Sequence, residues 1–199
     1  MKIAVFCSGN GSNFQAITDA AKAGFFNGHV ALMICDNKDA YAIKRAKSSG
    51  IDASVIARSE CKDRDDFEAQ IIVELTRKSI EVIALAGFMR VLSQNFVRRY
   101  EGKILNIHPS LLPSFKGTRA IKDAFDCGVK VTGVTVHFVD EGVDTGPIIL
   151  QEAVDIRKED TLGTLEGRIH AVEHRLYPEA LKLFLNGKLH INDRKVMVT

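Results

Sequence analysis

Strand-length apolar runs alternate with helix-like segments along the first half of the chain, and this alternation restricts the possible folds more than any other feature. The intervening segments repeat apolar residues three or four positions apart, as helices packed on one side do. A repeated strand–helix order predicts a mostly parallel sheet with helices on both faces, which is an α/β fold. The predicted strands are residues 2–7, 30–35, 53–57, 82–86 and 103–108, and the predicted helices are residues 13–22, 40–49, 63–78, 93–100 and 118–127.

The pattern changes in the second half of the chain. Residues 131–140 alternate between apolar and polar side chains, and a further strand is predicted over residues 148–154. Because only a turn joins these two strands, we expect them to pair antiparallel and to make the sheet mixed. A helix predicted over residues 160–185 is expected to be interrupted or bent at Pro178, since proline lacks the N–H that a helical hydrogen bond needs.

Size and composition are typical of a soluble globular protein and exclude several classes of partner. The 199 residues suit one domain, which we expect to have an N-terminal half at 1–100 and a C-terminal half at 101–199. The 27 basic and 25 acidic residues are interspersed, with no basic run that would indicate nucleic-acid binding. No apolar run is long enough for a membrane span or a secretory signal, so we expect a cytoplasmic protein without membrane contact. The four cysteines form no C-x-x-C pair and are predicted to be reduced.

A glycine-rich segment, SGNGSN at residues 8–13, follows the first predicted strand and leads into the first predicted helix. Free N–H groups at a helix N-terminus favour an anion, and glycines allow the ligand to approach closely, so we predict a phosphate site here. A dinucleotide fingerprint needs a third small residue where Phe14 stands, which favours one phosphate over a pyrophosphate. An ordinary strand–helix turn and a nucleotide-binding module are the alternatives. Ser12 and Gln15 have the spacing of a capping box.

Asn106 and His108 are two positions apart at the end of the fifth predicted strand, so their side chains share one face of the sheet. This pair suits acyl transfer to an amine, because the substrate amine is then the nucleophile. The amide of Asn106 can donate to the oxyanion of a tetrahedral intermediate, and His108 can move protons between the amine and the leaving group. Asp144, in an acidic turn at residues 140–147, is a candidate partner that would hold the imidazole. Simple turn chemistry is the alternative for Asp144.

Four motifs together make the chain resemble a known family. They are SGNGSN at residues 8–13, LAGFMR at 85–90, NIHPSLLP at 106–113 and DEGVDTGP at 140–147. Their order is that of the phosphoribosylglycinamide formyltransferases, and the resemblance covers nearly the whole chain. It implies a Rossmann-like three-layer α/β/α sandwich, the formyltransferase fold. It also implies transfer of a formyl group from the co-substrate 10-formyltetrahydrofolate to the amine of glycinamide ribonucleotide, in purine biosynthesis and without a metal.

The same resemblance assigns roles to individual residues. The catalytic triad of the family is matched by Asn106, His108 and Asp144. The phosphate and ribose contacts of the substrate are matched by Gly11, Ser12, Asn13, Glu173 and, where lysine is usual, His170. The folate site is matched by Arg64, Met89, Arg90, Val91, Leu92, Asn106, Asp140, Glu141, Gly142, Val143 and Asp144.

Two alternative functions follow from the sequence. The nearer one is another folate formyltransferase or a formyl-folate hydrolase of the same superfamily, although the extra domains of those relatives are not recognisable here. The other is a zinc peptidase, because His170, Glu173 and His174 form an H-x-x-E-H sequence on a predicted helix. A catalytic zinc needs a third protein ligand, and the residues that follow offer none in an obvious ligand segment. His137 can face the site or pack in the core, and the sequence leaves both open.

Overall fold

The computed structural model describes residues 1–199, which divide into two units, Met1–Leu105 and Asn106–Thr199. The fifth strand, β5 (Ile104–His108), begins in the first unit and ends in the second. The expectation of a single domain with halves at 1–100 and 101–199 stays a prediction.

Four strands of the first unit form a parallel sheet: β1 (Lys2–Cys7), β2 (His29–Cys35), β3 (Ala53–Val55) and β4 (Val82–Leu85). Their order is β3-β2-β1-β4, so β1 is hydrogen-bonded on both sides. After its first residue β1 is completely buried. A strand covered on both faces has to be apolar throughout, which explains the continuous apolar runs of the sequence.

The helices of the first unit follow the predicted order, and one predicted detail is wrong. Phe14 and Ile17 of the first helix are fully buried. The predicted capping box of Ser12 and Gln15 is absent, because Gly11 is the N-cap residue and the cap makes no side-chain hydrogen bond. The helices are α1 (Ser12–Lys22), α2 (Tyr41–Ser49), α3 (Arg64–Arg77) and α4 (Gln94–Arg99), with a short 3₁₀ turn at Arg58–Glu60.

The second unit contains the antiparallel strands. In agreement with the prediction, β6 (Val131–Phe138) pairs antiparallel with β7 (Ile148–Asp155). A hairpin that the sequence analysis missed, β8 (Leu189–Asn192) with β9 (Lys195–Val198), adds to β7 through a parallel pairing of β9. The strand pairings of the two units confirm a mixed α/β fold, mostly parallel with a late antiparallel segment.

The two helices of the second unit are α5 (Ala120–Cys127) and α6 (Leu162–Leu185). Of the predicted interruption or bend at Pro178, the interruption is wrong, because the proline lies inside the unbroken helix α6, which is 24 residues long; the bend stays a prediction. Tyr177 and Leu181, on either side of it, are fully buried. Apolar packing of this kind outweighs the loss of one helical hydrogen bond. None of the helices combines the length and apolar character that crossing a membrane requires.

Candidate active site

Two side chains at the end of β5 converge on one carboxylate. Nδ2 of Asn106 donates to Oδ1 of Asp144 over 3.5 Å, and Nδ1 of His108 lies 3.5 Å from Oδ2 of the same residue. The side chain of Asp144 is only 11% exposed and that of His108 only 5%. Hydrogen bonds and charges in so shielded a place interact more strongly than they do at the surface.

Asp144 lies in the turn between β6 and β7 and has a left-handed backbone, with φ 51°. Residues other than glycine adopt this conformation rarely, and those that do concentrate at functional sites. The turn is closed by Asp140, whose Oδ1 accepts a hydrogen bond from the Thr145 hydroxyl at 2.6 Å. A Cβ on Gly146 would lie 1.8 Å from the carbonyl oxygen of Phe138, so only glycine allows the chain to return this closely.

The segment that follows β5 contacts the same groups from a second direction. The amide of Gly117 donates to Oδ2 of Asp144 at 2.9 Å. Nε2 of His108 donates to the carbonyl oxygen of Phe115 at 2.8 Å, which requires the hydrogen on Nε2 because a carbonyl only accepts. Phe115 also has a left-handed backbone, with φ 50°. Both ring nitrogens of His108 therefore face a fixed acceptor.

His137, which the sequence left undecided, faces the site. Its Nδ1 donates to the carbonyl oxygen of Phe138 at 2.7 Å, and its Nε2 lies 3.1 Å from Nδ2 of Asn106. Burial lowers the pKa of His137, against the opposing effects of the Phe138 carbonyl and Asp144. The neutral ring is thus an acceptor at Nε2, which fixes the direction of the Asn106 amide. The only sequence signal for this role is the place of His137 on the polar side of the β6 alternation.

The amide, imidazole and carboxylate of this cluster are the groups of an acid–base site with oxyanion stabilisation. They can neutralise negative charge on an acyl oxygen and exchange protons with an amine. The structure contains no group of three or more His, Cys, Asp or Glu side chains arranged to hold a metal ion.

The glycine-rich segment of the first unit is a tight loop between β1 and α1. Gly11 has φ 74°, and a Cβ added to it would lie 2.7 Å from the Cβ of Ala42 on α2. Ser12 and Asn13 form the first turn of α1, where helix geometry supplies N–H groups without an intrahelical acceptor. Phe14 is buried where a dinucleotide fingerprint would have its third glycine. The loop can therefore present backbone N–H groups to an anion, and the phosphate site at Gly11, Ser12 and Asn13 stays a prediction.

The residues matched to folate binding include several exposed side chains. Met89 and Val91 are 55% and 64% exposed. Nε of Arg90 donates to Oδ2 of the buried Asp36 at 2.6 Å, which fixes the guanidinium end of this side chain. The remaining matched residues are Arg64, exposed at the start of α3, Leu92, half-buried, and Glu141, Gly142 and Val143, exposed in the turn that Asp140 closes.

His170 and Glu173, matched to substrate binding, contact each other on α6. Nδ1 of His170 lies 2.9 Å from Oε2 of Glu173, and this hydrogen bond raises the pKa of His170. The ring of His170 stacks on that of His174 with 6.4 Å between centroids. In the H-x-x-E-H sequence, His170 thus pairs with Glu173 and stacks on His174, and these residues do not form a three-ligand metal group.

Comparisons with known proteins agree on one family. The family model described as formyl transferase matches residues 1–181. A phosphoribosylglycinamide formyltransferase of Bacillus subtilis is 48% identical over 184 residues, which are 92% of this chain and 94% of that protein. The human trifunctional purine biosynthetic protein adenosine-3 is 43% identical over 192 residues, 96% of this chain and 19% of that protein. The crystal structure of glycinamide ribonucleotide transformylase 1 from Symbiobacterium toebii has a TM-score of 0.97 and 44% identity, and covers 100% of this chain and 93% of that one.

Proposed function

Because the chain belongs to the phosphoribosylglycinamide formyltransferases, we propose that it transfers the formyl group of 10-formyltetrahydrofolate to the amine of glycinamide ribonucleotide. The observation that carries the proposal is the convergence of Asn106 and His108 on the shielded carboxylate of Asp144. The substrates are small metabolites, which supports a cytoplasmic enzyme that needs no nucleic-acid or membrane partner.

In the proposed reaction the amine attacks the formyl carbon, and a C–N bond to the acceptor forms while the carbonyl oxygen becomes an oxyanion. The Asn106 amide and the Nε2–H of His108 donate to that oxygen as its charge develops. The intermediate then breaks its bond to N10 of the folate, and N10 gains a proton while the amine loses one. His108, with a hydrogen on each ring nitrogen, gives its Nε2 proton to N10, and the emptied Nε2 then takes up the proton lost by the amine, directly or through one water, which is general acid–base catalysis.

Asp144 and His137 have supporting roles in this proposal. The carboxylate of Asp144 holds His108 through Nδ1 and stabilises the charged ring when it carries the transferred proton. His137, neutral because it is buried, holds the Asn106 amide in one orientation by accepting one of its two N–H groups. The other N–H donates to Oδ1 of Asp144 over 3.5 Å in the structure, so the substrate oxygen has to replace that carboxylate oxygen. The Nε2–H of His108 is bonded to the Phe115 carbonyl in the structure, so the substrate oxygen has to replace that carbonyl.

Substrate binding is proposed for the residues that the family resemblance matched. Gly11, Ser12 and Asn13 would hold the phosphate of the ribonucleotide, supported by the left-handed Gly11 and the N-terminus of α1. Glu173 and His170 would contact the ribose and phosphate. The folate would contact Arg64, Met89, Arg90, Val91 and Leu92, together with Asn106 and the turn Asp140, Glu141, Gly142, Val143 and Asp144.

A substrate-panel assay tests the proposed activity. Purified protein mixed with a 10-formyl folate and glycinamide ribonucleotide should change the folate absorbance and yield the N-formyl product, with or without a chelator. Folate deformylation that proceeds equally without the ribonucleotide would contradict the transfer and support a hydrolase. Peptidase activity that chelation abolishes and zinc restores would support the H-x-x-E-H alternative instead.

A further inference from the structure

Arg45, on α2, contacts the glycine-rich loop through two hydrogen bonds to one residue, Asn10. Its Nε donates to the carbonyl oxygen of Asn10 at 2.9 Å, and its Nη2 donates to Oδ1 of the same residue at 3.0 Å. Asn10 stands between two glycines, Gly9 and Gly11, and is itself exposed. A planar guanidinium with donors in a fixed fork can hold the backbone and the side chain of one residue together, whereas the ammonium of a lysine is a single point charge without that fixed geometry.

Two neighbouring loop residues also rest on α2. The amide of Ala42 donates to the carbonyl oxygen of Gly9 at 3.1 Å. Gly11, whose missing Cβ would clash with Ala42, lies against the same turn of the helix. Three consecutive loop residues are therefore positioned by α2, and the carbonyl oxygens of Gly9 and Asn10 are both occupied by donors on that helix.

This arrangement controls which face of the loop peptides is presented to an anion. A phosphate is bound where successive N–H groups converge, and a carbonyl oxygen turned toward it would repel it. By holding the Asn10 carbonyl on α2, Arg45 keeps the peptide between Asn10 and Gly11 in one orientation. The glycines on both sides impose little restraint of their own, because glycine has the widest conformational freedom of any residue.

We propose that Arg45 is a positioning residue that sets the affinity for the phosphate of the acceptor substrate by orienting Asn10. The inference rests on the proposed function of the loop, and it gives Arg45 no part in the chemistry. The inference predicts different effects on binding and on turnover. Loss of the two hydrogen bonds from Arg45 to Asn10 should weaken binding of the phosphorylated acceptor, while kcat and folate binding stay unchanged.

A simpler role for Arg45 would be to attract the anion through its charge alone. The chain offers a matched comparison, because Lys44 is the adjacent cation on the same helix. Both cations lie over the ring of Tyr41, with Arg45 Cζ 5.0 Å and Lys44 Nζ 5.7 Å from its centroid. Arg45→Lys keeps the charge and removes the fork, Arg45→Met removes both, and Lys44→Met removes a neighbouring charge only.

The experiment measures kcat and KM for both substrates in the three variants and the wild type, with circular dichroism as a check of folding. Arg45→Lys and Arg45→Met should each raise KM for glycinamide ribonucleotide about tenfold, about 1.4 kcal/mol of binding, with kcat and the folate KM within about twofold of wild type. Inhibition by inorganic phosphate should weaken by the same factor. The kcat/KM of the dephosphorylated acceptor and the kinetics of Lys44→Met should not change.

Each other outcome contradicts the inference in a recognisable way. If Arg45→Lys keeps the wild-type KM for glycinamide ribonucleotide while Arg45→Met raises it, the charge of Arg45 determines binding and its two hydrogen bonds to Asn10 do not. If Arg45→Lys lowers kcat and folate affinity as well, or fails to fold, Arg45 has a general structural role. Gly11→Ala distinguishes a failure of the role proposed for Arg45 from a failure of the phosphate function proposed for the loop. If Gly11→Ala raises the ribonucleotide KM and Arg45→Lys does not, only the role of Arg45 is contradicted. If neither variant changes that KM, the proposed phosphate function of the loop fails too.

Discussion

The candidate sites of the two units are built from different parts of the polypeptide. In the first unit the glycine-rich loop offers mainly backbone, and its shape depends on the left-handed Gly11 and its close contact with Ala42. In the second unit the cluster of Asn106, His108 and Asp144 consists of side chains shielded from water. A backbone site is sensitive to an added Cβ, and a side-chain site is sensitive to the loss of one functional group.

The two kinds of site also suit different tasks. A phosphate carries its charge throughout the reaction, so fixed N–H groups can bind it in the ground state and the transition state alike. An oxyanion exists only near the transition state, and protons have to move when it forms. Proton transfer needs a side chain that can both accept and release a proton. Among Asn106, His108 and Asp144, the imidazole of His108 is suited to this task. We therefore expect loss of Asn106 or His108 to lower kcat and changes in the glycine-rich loop to raise KM.

Replacing His108 with alanine should have the largest effect. The proposed proton transfer and one oxyanion donor are lost together, so kcat should fall by about 10²–10⁴. KM for both substrates should change little, since the proposed loop contacts are intact. Steady-state kinetics would measure this, with His190→Ala, at an exposed histidine of β8, as the control that retains full activity. Turnover within threefold of wild type would remove His108 from the mechanism.

Asn106→Ala comes next in expected size. Loss of one oxyanion donor typically lowers kcat by about 10²–10³. The variant also leaves the buried Nε2 of His137 without its donor, so the free energy of unfolding should fall by about 1–3 kcal/mol. Rate assays and urea unfolding measure the two effects separately. Asn192→Ala, at an exposed position of β8, is the control, and a stability loss without a rate loss would make Asn106 purely structural.

Gly11→Ala tests the glycine-rich loop, which is the site built mainly from backbone. The added Cβ would meet the Cβ of Ala42 at 2.7 Å on a left-handed backbone, which should distort the loop and raise the ribonucleotide KM by about ten- to a hundredfold. Gly24→Ala is a close control, because Gly24 has φ 70° and open space around it. It has the same backbone strain without the clash. Equal KM values in the two variants would show that the shape of the loop does not determine binding.

The sequence predicted most of the secondary structure, because its signals were local. The period of two placed Asn106 and His108 on one face, and both side chains reach the same carboxylate. Signals that depend on the tertiary structure were missed. The N-cap went to Gly11 and not to Ser12, since the loop has to pass close to Ala42, and the buried neighbours of Pro178 keep α6 continuous.

The position of Asp144 was the part of the candidate site that spacing alone left undecided. Its carboxylate reaches β5 because a left-handed backbone at Asp144 and the close turn at Gly146 fold the segment back. Neither feature has a reliable local signature, since aspartate and glycine are also ordinary turn residues. The orientation of His137 was undecided for a related reason, because β6 is buried on both faces. The alternation along β6 therefore does not show whether the His137 side chain packs in the core or faces the site.

The smallest expected effect belongs to the ion pair of His170 and Glu173 on α6. The hydrogen bond to Glu173 raises the pKa of His170, so protonation favours the folded state: the pair contributes its full stability below about pH 6.5 and loses it as pH rises through the higher folded pKa. The side chain of His170 is 48% exposed, and solvent screening keeps such pairs at or below about 1 kcal/mol, or about 2–4 °C in Tm. His170→Gln should therefore lower Tm at pH 6 and have no effect at pH 9, while the same substitution at the exposed His29 should show no such difference. A Tm deficit that grows with pH would mean that the pair does not stabilise the charged ring.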